Sequence, residues 1–129
     1  MSTPLRFVVV GLGARSRTWL RVMQASPDVQ IVGLADPSPA ARDAALKLLP
    51  DATVAAEISK LTQMVEADVA LLVTPPGGRE GQIEACLAAK LDILAEKPLA
   101  DDVSSAARHV RAAEAAGRTL IVGLNFRFL

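Results

Sequence analysis

Short runs of β-branched and aliphatic residues alternate with longer helix-like stretches from one end of the chain to the other. That alternation confines the fold to a parallel sheet with crossover helices, because parallel neighbours need a connection long enough to return the chain, and a helix usually supplies it. The first run, residues 5–10, is apolar almost throughout, as expected of a strand covered on both faces. Further strands are expected over 29–35, 69–73, 91–95 and 119–124, with a short one over 52–55. Helices are expected between them over 14–25, 39–48, 58–65, 80–89 and 102–116. Proline and glycine set the boundaries. Ser26-Pro27 stops the first helix, since the residue before a proline avoids helical angles. Pro39 suits a first helical turn, and Gly117 stops the last helix. The predicted class is α/β: a doubly wound parallel sheet, one domain, in three α/β/α layers, with no internal repeat or low-complexity linker.

Composition narrows the function. The 129 residues are 51% hydrophobic and 22% charged, which suits one compact domain. Lys+Arg number 14 and Asp+Glu 14, so there is no basic excess to grip a nucleic-acid backbone and no acidic tail. The apolar runs fall far short of the ~20 residues of a membrane span, so no membrane partner is expected. The start, Met1 to Arg6, lacks the pattern of a secretion signal. One cysteine, Cys86, permits no internal disulfide, and the chain reads as cytoplasmic by default. The length suffices for one α/β layer system but is short for an enzyme with its own substrate domain.

Gly11-Leu12-Gly13-Ala14-Arg15-Ser16 directly follows the first strand and opens the first helix, where a Rossmann dinucleotide fingerprint lies. Gly11 makes the tight turn, and Gly13 lets the backbone approach a pyrophosphate held at the helix N-terminus. Ser16 stands where the pattern has a third glycine; it is small enough for close packing, and its hydroxyl is a further donor to phosphate. The alternative is a Gly-rich turn of some other α/β protein. Asp36 ends the second strand about 20 residues on, where a carboxylate accepts from the adenosine ribose hydroxyls. It favours NAD over NADP, while Arg15, Arg17 and Arg42 keep NADP open. The alternative for Asp36 is a turn-forming residue before Pro37.

Two later motifs, Thr74-Pro75-Pro76 and Glu96-Lys97-Pro98, end strands of the same sheet, so both point into the crevice beyond the strand ends. Lys97 is placed to hold a nicotinamide ribose or a substrate hydroxyl; the alternative is a structural ion pair with Glu96. The one histidine, His109, reads as structural, Cys86 as a buried apolar group, and Trp19 as packing in the first helix. No residue is assigned to a metal.

Together with a last strand running into Asn125-Phe126-Arg127-Phe128, these motifs resemble the N-terminal domain of the glucose-fructose oxidoreductase, inositol dehydrogenase and rhizopine catabolism family, Gfo/Idh/MocA. The resemblance covers essentially the whole chain. It implies that Gly11, Leu12, Gly13, Ala14, Arg15 and Ser16 bind the pyrophosphate and Asp36 the adenosine ribose. It also implies that Thr74 and Pro75 line the nicotinamide end, and that Glu96 and Lys97 sit by the nicotinamide ribose. Lys97 is then the residue of this domain nearest the reacting carbon, and Pro98 is similar to a proline preceded by a cis bond. Asn125 matches a cofactor-side position and Arg127 a substrate-side one. Besides Ser16 there are two departures. Arg79 stands where members commonly have a histidine, which is expected to alter the nicotinamide pocket or the phosphate preference. Lys90 stands where a glycine commonly stops the helix, and it must take a left-handed conformation or end the helix another way.

The activity implied is hydride transfer between NAD(P) and a hydroxyl-bearing carbon of a sugar, cyclitol or related polyol, with Lys97 catalytic. The general base would come from a second α+β domain. Residues 1–124 would form the dinucleotide-binding domain and 125–129 the start of the connection to the second one, so the chain alone is expected to bind without turnover. The alternative is a stand-alone dinucleotide-binding or redox-sensing module. Self-association is left open through the strand edge at 119–129.

Overall fold

The computed structural model describes residues 3–123. Along them run β1 (Leu5–Val10), α1 (Ala14–Ala25), β2 (Val29–Ala35), α2 (Pro39–Leu48), β3 (Thr53–Ala55), α3 (Ile58–Met64), β4 (Val69–Leu72), α4 (Glu80–Ala88), β5 (Asp92–Glu96), α5 (Val103–Ala115) and β6 (Leu120–Gly123). The strands form a 6-stranded sheet in the order β3-β2-β1-β4-β5-β6. Each neighbouring pair is parallel. This is the doubly wound order of a Rossmann fold, as expected from the alternation.

Both faces of the sheet are covered, and the two-residue period of β1 shows how. Val8 and Val10 pack with Ile58 and Leu61 of α3 and with Ile83 and Cys86 of α4. Phe7 and Val9 point the other way, to Leu20 and Met23 of α1 and Ala45 of α2. Val8 and Val9 are wholly buried. Removing side chains of this size from water is worth about 1.5–3 kcal/mol each, which is why β1 is apolar without alternation. Helix α5 lies beside α4, with His109 and Ala113 as its buried residues. His109 is therefore a packing residue, as expected.

Local chemistry sets the ends of the elements. The Ser38 side chain accepts from the Ala41 amide at the start of α2, and the Asp102 side chain accepts from the Ser105 amide at the start of α5. Gly117, at φ +67, ends α5, and the Arg118 amide closes back on the Ala113 carbonyl at 2.9 Å. Lys90 takes the left-handed conformation, at φ 61, after α4. The Leu91 amide reaches back to the Cys86 carbonyl at 3.0 Å, and the Arg118 guanidinium donates to the Lys90 carbonyl at 3.0 Å. A glycine-type stop is thus built without glycine, at the local strain of order 1 kcal/mol that a left-handed lysine carries. The Leu91 amide is spent on that stop, so β5 begins at Asp92 and runs on to Glu96, where it pairs with Gly123. β6 begins at Leu120, and the expected strand residue Leu124 lies outside the described residues.

Gly11, at φ +95, leaves β1 where the chain crosses the end of β4. A Cβ there would lie 2.9 Å from the Thr74 amide nitrogen and 2.9 Å from the Val73 carbonyl carbon. Neither the angle nor the space admits a side chain. Gly11→Ala is expected to cost about 2–4 kcal/mol, lowering the thermal midpoint by on the order of 10 °C. A calorimetric melt that leaves the midpoint within a degree of the parent would show that this crossing is not tight.

Candidate functional site

The sheet order reverses between β1 and β4, so the helices that follow these two strands lie on opposite faces and a crevice opens beyond the strand ends. Gly13 is the N-cap of α1, in extended conformation, and no side chain caps the helix. A Cβ built on Gly13 would meet nothing within 4 Å. The first-turn amides at Ala14 and Arg15 therefore begin a 12-residue helix beside open space, and an anion there gains both the N–H donors and the positive helix end.

Asp36 faces this loop from the end of β2. Its Oδ2 accepts from the Leu12 amide at 2.8 Å, and its Oδ1 accepts from the Ser38 amide at 2.8 Å. Asp36 therefore builds the turn before Pro37, and its carboxylate lies against the glycine loop with acceptor capacity left on each oxygen. The Leu12 amide is committed to Asp36, and its side chain belongs to the core. The Arg42 guanidinium donates to the Asp36 carbonyl at 2.8 Å. Ser16 requires a correction. It is buried, and its hydroxyl donates to the Gly13 carbonyl at 2.6 Å, so its proton holds the loop together and is not offered to phosphate. From Gly11 and Asp36 a cleft of about 580 Å³ extends past Ile58, Thr74 and Gln82.

The other half of the crevice is built by the turns after β4 and β5. The Thr74 hydroxyl donates to Gln82 Oε1 at 2.8 Å, and Pro75 is exposed. The Lys97–Pro98 bond is cis, as the resemblance implies, and Lys97 is exposed. Glu96 is 8% exposed. Its Oε2 accepts from the Trp19 indole N–H at 2.5 Å and lies 3.4 Å from Arg15 Nε. The Glu96 carboxylate thus anchors α1 to β5. Trp19 packs, as expected, but also supplies this hydrogen bond. The signal was present in the sequence: Arg15 and Trp19 are four apart on one helix face and can reach the same acid.

Arg79 requires a second correction. It is only 1% exposed, so it neither meets a phosphate nor opens the pocket. Its Nη2 donates to the Thr74 carbonyl at 2.5 Å, and its Nη1 donates to the Glu96 and Pro98 carbonyls at 2.7 and 2.9 Å. Burial pulls the guanidinium below its ordinary value, and the Glu96 carboxylate opposes that. Asn125 and Arg127, assigned to the cofactor and substrate sides, lie outside the described residues. Among the described residues no cluster of three His, Cys, Asp or Glu could hold a metal, and no helix is long and apolar enough to cross a membrane.

Residues 5–124 match the family model described as an oxidoreductase family with an NAD-binding Rossmann fold, Gfo/Idh/MocA. The chain belongs to this family. The chain is 33% identical to the uncharacterized protein y4oX of Sinorhizobium fredii, covering 92% of this chain and 34% of that protein. It is 31% identical to an inositol 2-dehydrogenase of Rhodococcus erythropolis, covering 96% of this chain and 36% of the relative. The chain therefore spans about a third of the length of the curated relatives it matches. Among solved structures, the WlbA dehydrogenase from Bordetella pertussis, in complex with NADH and UDP-GlcNAcA, superposes with a TM-score of 0.88 at 28% identity, covering 94% of this chain and 37% of that one.

The Gfo/Idh/MocA chain also holds a thiol near the site's supporting helix. Cys86 is wholly buried in α4, and burial pushes its thiol up to about 12. At pH 8 the thiolate fraction is then roughly one in ten thousand. Cys86 is expected to resist a thiol reagent in the native protein and to react within seconds in denaturant; rapid native labelling would contradict its burial.

Proposed function

We propose that this chain is the cofactor-binding part of a dehydrogenase that moves hydride between NAD and a hydroxyl-bearing carbon of a sugar, cyclitol or related polyol. The observation that carries the reading is the juxtaposition at one crevice of an uncapped helix start with open space over Gly13, a carboxylate at Asp36 and the exposed Lys97. These residues fit a nicotinamide dinucleotide. The amides at Gly13, Ala14 and Arg15 would hold the pyrophosphate. Asp36, keeping its bond to Leu12, would accept from the adenosine ribose. Thr74, Pro75 and Lys97 would line the nicotinamide end. When bound, the cofactor supplies the hydride acceptor or donor.

Within this chain the chemistry is orientation. Asp36 repels a 2'-phosphate, the glycine loop fixes the pyrophosphate without a basic surface, and the Lys97 ammonium donates to a ribose or substrate hydroxyl, holding the oxygen from which a proton must leave. The relatives are roughly three times as long and the curated ones with assigned activity are named dehydrogenases, which supports a catalytic base and most substrate contacts on a further domain. The stand-alone module is accordingly not favoured.

Quenching of Trp19, the single tryptophan, provides a titration. NADH is expected to bind at least about tenfold more tightly than NADPH. Asp36→Asn keeps an oxygen for the Leu12 amide while removing the charge, and is expected to bring the two affinities within about threefold. Equal or tighter NADPH binding by the unaltered chain would remove Asp36 from the ribose.

In a full-length protein, Lys97→Ala is expected to lower turnover by about 100-fold or more with NAD affinity changed less than about threefold. Unchanged turnover would make Lys97 structural.

A further inference from the structure

Between the two turns that form the nicotinamide half of the crevice lies one buried cation. Arg79 stands at the N-terminus of α4, where the Ile83 amide bonds its carbonyl at 2.8 Å, and its side chain runs inward to a 1%-exposed position. Its Nη1 donates to the Glu96 carbonyl at 2.7 Å and the Pro98 carbonyl at 2.9 Å, with the Leu99 carbonyl at 3.4 Å. Its Nη2 donates to the Thr74 carbonyl at 2.5 Å. The carbonyls immediately before and after Lys97 thus converge on a single nitrogen, and the other fork of the same guanidinium holds the turn after β4.

Carbonyl oxygens that converge on one nitrogen repel one another, and a cationic donor at their focus offsets that repulsion. A guanidinium is suited to this because its planar fork reaches two turns at once from one rigid group. A lysine ammonium is a single point and cannot span both; an imidazole offers at most two donors in other directions. Arg79 Nε is buried with no hydrogen-bond partner among the described residues, so the side chain gives up one hydrogen bond to place both Nη groups on these carbonyls. Leaving a buried donor unpaired is costly and is kept where the rest of the arrangement outweighs it.

We propose that Arg79 is a positioning residue for the nicotinamide half of the site: it sets Lys97 relative to Thr74 through the backbone and touches neither cofactor nor substrate. The glycine loop and Asp36 bind the adenosine half without it. This rests on the reading of the crevice as a dinucleotide site.

Because the two halves are held by different groups, they can be read separately. ADP lacks both the nicotinamide and its ribose and reports the Gly13 and Asp36 half alone; NADH reports both. In Arg79→Ala, Arg79→Lys and Arg79→His both turns of the nicotinamide half shift, and not Lys97 alone, so the NADH affinity is expected to fall by about fivefold or more while ADP affinity changes less than about twofold. Arg79→Lys fails with the others because a charge without the fork cannot span both turns. The proposal is overturned if Arg79→Lys binds NADH like the unaltered chain, if NADH and ADP weaken together, or if every variant loses ADP through unfolding, since each makes Arg79 a charge or stability element only. Failure of the unaltered chain to bind either ligand would instead overturn the dinucleotide reading itself.

Discussion

The crossing of β1 and β4 is the constraint from which the rest of the architecture follows. At Gly11 the chain leaves β1 with no room for even a methyl group against the backbone of Val73 and Thr74. That closeness brings the glycine loop and the turn after β4 to the two sides of one crevice. The sheet order reverses at the same point, so the helices after these two strands go to opposite faces and cannot fill the gap between their starts. A crevice is a by-product of this winding, before any side chain is chosen.

Three polar ties then hold the crevice in shape. Asp36 fastens the glycine loop through the Leu12 amide, Glu96 fastens α1 to β5 through Trp19 and Arg15, and Arg79 fastens the turns after β4 and β5 to each other. Each tie uses a charged group that is partly or wholly withdrawn from water, and each charged group has partners, as burial requires. The division of labour leaves Lys97 and the space over Gly13 open at the surface while their supports are internal.

The elements were legible in the sequence because their causes are local. The apolar run at Leu5–Val10 has no other stable use than a doubly covered strand, and Asp102, Gly117 and the Pro39 turn mark helix ends by chemistry that spans three or four residues. The placement of the glycine loop, Asp36 and Lys97 at the strand ends was legible because their spacing along strands and loops is itself the signal. What was not legible is what crosses the fold. Ser16 was read both as a packing residue and as a phosphate donor, and the second part fails because its hydroxyl lies on the Gly13 carbonyl. Arg79 looked like a pocket residue, since nothing near it in sequence shows that the Glu96 and Pro98 carbonyls will be its partners. Backbone carbonyls carry no sequence signature, so a cation that binds them is visible only in the folded chain.

The most direct test of this arrangement is a crystal structure of the chain with NAD bound. The pyrophosphate should lie against Gly13 and the amides at the start of α1, the adenosine ribose on Asp36, and the nicotinamide ribose beside Lys97. A dinucleotide bound away from the β1–β4 crossing, or a pyrophosphate with no contact to the Gly13 loop, would contradict it.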